Sequence, residues 1–211
     1  MYAEYRILTA PVRWETVASH VRTLIQPAAL MHIRLAESAD VPAILAISNW
    51  AAIHTPANFA VEPETLDTWQ RSFAETREKY PWLVAVDANG GMTGFAKASP
   101  HKSRCAYAWS ADVSVYVHPD HHRRGVGAAL YGRLIPMLRE QGFVTLIAGI
   151  TVPNPASQSL HESCGFKRVG TYSKIGWKFG RWHDVGYWQL TLREGDGPPP
   201  TMRLVADVQE A

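Results

Sequence analysis

Cysteine is scarce in this chain: of 211 residues only Cys105 and Cys164 are cysteines, and they stand far apart. That excludes a disulfide framework and matches no zinc-ligand spacing, so a reducing, cytoplasmic setting is expected. No uninterrupted apolar run reaches the roughly 20 residues that a membrane-spanning helix needs. Charge of one sign is also missing: 21 Lys and Arg face 19 Asp and Glu, and the basic residues are scattered. No nucleic-acid footprint is therefore indicated, and any anionic ligand must be held locally. Charged residues make up 19 % and apolar residues 46 %, which excludes a solvated, disordered polymer and leaves one domain with short appendages. Residues 1–30 include Glu4, Arg6, Arg13, Trp14 and Glu15 without an apolar stretch, so they do not read as a secretory signal, and Met31 offers a second possible start. They are expected to form an extension of unassigned role before a domain spanning 31–193. A Pro-rich tail, 194–211, is expected to leave the domain surface.

From Met31 onward the chain alternates between the periods of strand and helix. Residues 32–36 read as a strand. Ser38 offers a cap, and Val41, Ile44, Leu45 and Ile47 follow as a helical stripe. A second helix is predicted over 65–79. Strands over 82–88 and 92–98 flank Asn89-Gly90-Gly91, the clearest hairpin signal in the chain. A third strand is predicted from Ala106 to Val117, then a helix over 125–141 with Pro136 inside it, where a kink or a restart is expected. A strand over 143–150, a short helix over 155–164 and strands over 166–174 and 182–192 complete the order. A mixed sheet with helices on its faces follows. Eight Trp, eight Tyr and nine His exceed what a core of this size requires.

Two segments carry chemistry. In VSVYVHPDHHRRGVGAAL, residues 113–130, a strand ends, a basic loop follows, and Gly125 and Gly127 open a helix. Bare amides and the positive helix end then face one point, a phosphate-binding arrangement. A dinucleotide turn would place glycines directly after the strand, which is not the pattern here. His118, Asp120, His121 and His122 lack the fixed spacing of a metal site, and no metal is expected. The second segment, Asn154 to Phe166, reads as a capped helix with a Gly stop, in which His161 could simply complement the helix dipole.

Together the two segments resemble the acetyl-CoA-binding motifs of the GNAT N-acetyltransferase superfamily. Its phosphinothricin N-acetyltransferase branch is resembled by NFAVEPETLDTW (58–69), YPWLVA (80–85), KSRCAYAW (102–109), VYVHPDHHRRGVG (115–127), LHESCGF (160–166) and GRWHDVGYWQ (180–189). The resemblance covers residues 33–192. It implies an α/β fold with a mostly antiparallel central sheet, a splayed strand pair and helices on both faces. It implies acetyl-CoA as co-substrate, held by Val115, Tyr116 and Val117 along the arm, by His122, Arg123, Arg124, Gly125, Val126, Gly127 and Ala128 at the pyrophosphate, and by Asn154 and Ser157 opposite. His122 stands where the superfamily usually has Gln or Arg. Asp112 falls where the branch carries a Glu base, one methylene shorter, so that a bridging water is expected; a merely local capping or pairing role stays open. His161 falls where the branch commonly has a His that acts as acid or second base. Asn58, Phe59, Lys102, Arg104 and Tyr107 match residues of the acceptor pocket. The implied acceptor is a small amino acid with an extra anion, phosphinothricin or methionine sulfoximine, and the implied assembly is a homodimer with a resistance role. Another small amine, or a non-catalytic acyl-CoA-binding module, stands as the alternative. The surplus Trp residues are expected to wall the small-molecule site and a dimer face.

Overall fold

The computed structural model describes residues 31–208, so the expectation for residues 1–30 lies outside the described residues. Seven strands form one sheet in the order β1-β2-β3-β4-β5-β7-β6. They are β1 (His32–Leu35), β2 (Trp82–Val86), β3 (Met92–Pro100), β4 (Ser110–Val117), β5 (Thr145–Val152), β6 (Lys167–Lys178) and β7 (Arg181–Thr191). Every pairing is antiparallel except β4 with β5, which is parallel. The helices are α1 (Val41–His54), α2 (Leu66–Thr76), α3 (Val126–Gln141) and α4 (Pro155–Ser163).

Both faces of the sheet are covered, which explains why β2 reads as an apolar run without alternation. Its Leu83 and Ala85 belong to a core with Leu130, Leu134 and Leu138 of α3, whereas Trp82 and Val84 belong to a second core with Ile44 of α1 and Trp69 and Phe73 of α2. The helical stripe on α1 and the capped start of α2, where the Thr65 hydroxyl accepts from the Thr68 amide, follow the sequence pattern. Helix α3 continues through Pro136 as a single element, without the restart that the proline suggests. Trp69, Trp82 and Trp188 are core residues and do not wall a ligand site as expected, whereas Trp50 on α1 lines a cleft. The Lys97 ammonium lies 4.9 Å and 4.3 Å from the Trp69 and Trp82 ring centroids, a cation–π arrangement.

Two expectations are corrected. Residues 106–109 are not strand, because Pro100 ends β3 opposite Ala111 and leaves the preceding residues without a partner; Cys105–Tyr107 closes into a 3-10 turn instead. The tail does not leave the surface. Trp109 Nε1 donates to the Pro200 carbonyl at 2.8 Å, the Val205 amide to the Glu78 carbonyl at 2.8 Å, and Gln141 Nε2 to the Arg203 carbonyl at 3.1 Å. Val205 and Val208, three residues apart on one turn, fill the α3 side of the core. The prolines make the segment extended, and these two valines supply the apolar area that holds it down. Ending the chain at Pro198 is therefore expected to cost about 3 kcal/mol, given the two buried valines alone. Urea unfolding measures this, and an unchanged midpoint would show that the tail contributes nothing.

Candidate active site

The site begins where a strand pair parts. β4 and β5 are in register only at Ser110 with Thr145, Ala111 with Leu146 and Asp112 with Ile147. Past that point each strand stays bonded to its other neighbour: β4 to β3 as far as Val117 opposite Gly94, and β5 to β7 as far as Val152 opposite Asp184. The β4 edge facing β5 therefore has no ladder partner from Val113 on, and its backbone groups are open to a ligand. The gap widens into a cleft of about 1120 Å3.

Of the residues assigned to the co-substrate, Val115, Tyr116, Val117, His122, Arg123, Gly125, Val126, Gly127, Ala128, Asn154 and Ser157 all line this cleft. Arg124 does not. Gly125 caps α3 in the left-handed region at φ 79° with no side chain over the helix end, so the first amides of α3 stay bare for an anion. His122 also ties the loop back to its strand, its Nε2 lying 3.0 Å from the Val117 carbonyl. Asn154 accepts from the Ser157 amide at 3.1 Å and so caps α4. Among the described residues no group of three His, Cys, Asp or Glu is placed to hold a metal.

His161 is buried at the cleft wall. Its Nδ1 lies 2.7 Å from the Ser157 carbonyl, an acceptor only, so Nδ1 carries the proton; bare Nε2 then accepts from the Tyr131 hydroxyl at 2.9 Å. Burial holds the His161 imidazole below its ordinary pKa and pushes the Tyr131 phenol up. Tyr131 was not singled out from sequence, although its place one turn after Gly127 on the cleft side of α3 was a usable signal.

A second cavity of about 320 Å3 adjoins the cleft, lined by Ala57, Asn58, Phe59, Thr151, Ile175 and Tyr187 among others. It shares Ala57, Tyr116 and Gly149 with the cleft, so the two spaces meet there. Asp112, Ser114 and Tyr116 alternate onto the face of β4 opposite Val113 and Val115. Burial, with the charge of Glu64, pushes the Tyr116 phenol up to about 12, so it stays protonated at neutral pH. The Asp112 carboxyl is raised by partial burial, and His101 and Lys102 oppose that rise. The Tyr187 phenol is raised by burial and by Tyr172, and Asp112 adds to this; Asp112 itself lines neither cavity.

The acceptor residues divide. Phe59 packs against Gly176, where any side chain would collide with its ring, and its ring centroid is 6.1 Å from that of His183. Asn58 ties its loop to α1, donating to Ser48 Oγ at 3.1 Å and accepting from the Ala60 amide at 2.8 Å. Buried Lys178 fastens the same loop by donating to the carbonyls of Ala52, Thr55 and Asn58, a role not visible in the sequence. Lys102, Arg104 and Tyr107 are exposed and line neither cavity; Tyr107 instead lies edge-on to His101, at 5.7 Å between ring centroids.

Comparison with known proteins agrees with this geometry. Residues 33–186 match the acetyltransferase (GNAT) domain family. The chain is 39% identical to a phosphinothricin N-acetyltransferase of Streptomyces viridochromogenes over 178 residues, covering 84% of this chain and 96% of that one. It is 40% identical to an L-methionine sulfoximine/L-methionine sulfone acetyltransferase of Salmonella typhimurium over 171 residues, covering 80% and 98%. The crystal structure of a GNAT superfamily phosphinothricin acetyltransferase from Sinorhizobium meliloti, in complex with acetyl-CoA, superposes with a TM-score of 0.77 at 31% identity, covering 85% and 97%.

A pH prediction follows from His161. Because its folded-state pKa is depressed, the unfolded chain binds the proton first, and stability is lost as pH falls below about 6.5 until the lower folded value is reached. One such group contributes a slope of at most about 1.4 kcal/mol per pH unit. His161→Asn is expected to flatten the stability profile in that window, as measured by denaturant unfolding across pH. An identical slope in both proteins would place the titration elsewhere.

Proposed function

The chain belongs to the GNAT acetyltransferase family, and from that premise we propose that it transfers the acetyl group of acetyl-CoA directly to the α-amine of phosphinothricin or a close analogue such as methionine sulfoximine. One observation carries the reading: the cleft and the second cavity meet at Tyr116 and Gly149, and Asp112 lies on the same face of β4 as Tyr116. Open backbone on β4 and the bare amides after Gly125 fit an extended ligand with an anionic end, and the cleft is large enough for one. Acetyl-CoA supplies the activated thioester.

An α-amine is mostly protonated at neutral pH and must lose a proton before it can attack. Asp112 takes that proton, directly or through a water, and its raised pKa improves it as a base. His161 is the second proton carrier, acting through the Tyr131 hydroxyl in the cleft wall. A second acceptor class, a small amino acid without an extra anion, is favoured by one fact: Lys102 and Arg104 reach into neither cavity. A reducing, cytoplasmic site of action and a resistance role belong to the same proposal; both Cys105 and Cys164 are free thiols. Among the described residues no helix is long and apolar enough to cross a membrane.

We also propose a homodimer formed through the β6–β7 hairpin. Trp177 and Trp182, 56% and 55% exposed, sit edge to face at 5.3 Å between centroids, with Phe179, Tyr172 and Ile175 exposed beside them. So much aromatic surface on one hairpin is unusual for a monomer.

Thiol release from acetyl-CoA is the direct assay. Turnover of phosphinothricin or methionine sulfoximine is expected, with a loss of about 100-fold or more in Asp112→Asn. Tight acetyl-CoA binding without turnover of any amine in a broad panel would identify a binding module instead. If Lys102 and Arg104 hold the acceptor's anion, Lys102→Ala with Arg104→Ala raises KM for phosphinothricin; unaltered turnover of a different amine by that variant identifies the second class. Sedimentation is expected to give a dimer that Trp177→Glu converts to a monomer, and a monomeric wild type would end the dimer proposal.

A further inference from the structure

His101 is absent from every motif considered above, yet it makes the only side-chain hydrogen bond that Asp112 has among the described residues. Its Nδ1 lies 2.8 Å from Asp112 Oδ1, and its ring is largely shielded, with 19% of the side chain exposed. The register explains the meeting. Ser99 of β3 pairs with Asp112 of β4, and His101, two residues on, falls diagonally on the same face. Pro100 ends the ladder between them and frees the chain to bend at His101.

We propose that His101 is a positioning residue for Asp112, an inference that rests on Asp112 being the base. Toward an ionised carboxylate, Nδ1 must be the donor, because Asp112 has only acceptors to offer. That bond occupies Oδ1 and leaves Oδ2 to take the acceptor's proton. It also restrains the two side-chain torsions of Asp112, which ordering by solvent alone would leave free. A carboxylate one methylene shorter than Glu sits closer to its strand, within reach of a ring on the neighbouring strand, and the chain supplies that ring. The same contact fixes the base of the loop that carries Lys102, Arg104 and Tyr107, since the Tyr107 ring packs edge-on to His101. The other polar groups acting on Asp112 are Lys102 from that loop and Tyr187 from β7. Neither replaces the bond to Oδ1.

The test measures kcat, KM and the acid limb of kcat/KM, with phosphinothricin as acceptor. His101→Ala is expected to lower kcat about tenfold or more with KM for acetyl-CoA unchanged. Loss of the bond also raises the Asp112 pKa, so the acid limb moves to higher pH. His101→Asn, whose amide nitrogen occupies the Nδ1 place, is expected to recover most of the rate, whereas His101→Gln, whose amide reaches the Nε2 place, is not. Should His101→Ala fail to fold, the Asn and Gln variants decide between them: equal rates and equal acid limbs overturn the inference. So does a His101→Ala protein with wild-type kcat and an unmoved acid limb. Asp112→Asn, run in parallel, separates the two levels. An inactive Asp112→Asn beside a wild-type His101→Ala sinks the role of His101 alone, and a fully active Asp112→Asn sinks the base assignment beneath it. An activity-free arm uses imidazole 15N NMR on the full chain: Nδ1 protonated and Nε2 bare in His101 supports the bond, and the opposite tautomer overturns it.

Discussion

The parting of β4 from β5 after the Asp112–Ile147 pair is the constraint on which the rest of the site depends. Two strands that stay bonded to their outer neighbours but not to each other must leave a wedge, and the wedge exposes backbone in the middle of a sheet. Such exposure is normally costly, and it persists here because the outer ladders hold both strands in place. The cleft is arranged around the fork. Asp112 is the last residue of β4 paired with β5, Val115 and Val117 line the opening, α3 follows β4 after the loop that holds the Pro119–His121 turn, and α4 follows β5 after two residues.

The second organising feature is the division of the two sheet faces. Because alternate residues of β4 point to opposite sides, the same strand presents Val113 and Val115 toward α3 and Tyr116 toward the smaller cavity, with Asp112 on the Tyr116 side of the strand. A near-neutral chain can then offer an anion site without a general excess of charge. The positive end of α3 after Gly125 is such a local device, whereas Lys102 and Arg104 lie outside both cavities. The smaller cavity is closed by contacts between distant segments: Lys178 on β6 holds the loop after α1, and Phe59 of that loop lies on Gly176 of β6.

Much of this was legible in the sequence for identifiable reasons. The Gly125 and Gly127 turn and the capped helix from Asn154 are local devices, written in residues a few positions apart, and the cleft has nearly all of the residues read from them. The third strand was overextended because Pro100, which removes its partner, lies across the hairpin and not beside it in sequence. The packing of the tail is not legible in its prolines and glycines, because Val205 and Val208 gain their value only once α3 and the loop after α2 offer a place to bury them. The tryptophans were misjudged in part for the same reason: burial, which composition does not report, separates Trp69, Trp82 and Trp188 from exposed Trp177 and Trp182.

By itself the sequence carried the order of elements and the Gly-opened helix start, which depend on short-range spacing, and the resemblance to the family, which implied the candidate base at Asp112. Tertiary structure alone decided what those residues touch. It placed His101 on Asp112, Tyr131 on His161 and Lys178 under the acceptor loop, across separations of 11, 30 and more than 100 residues. Hydrogen bonds of that kind depend on which strands and helices become neighbours, and no local pattern encodes that choice.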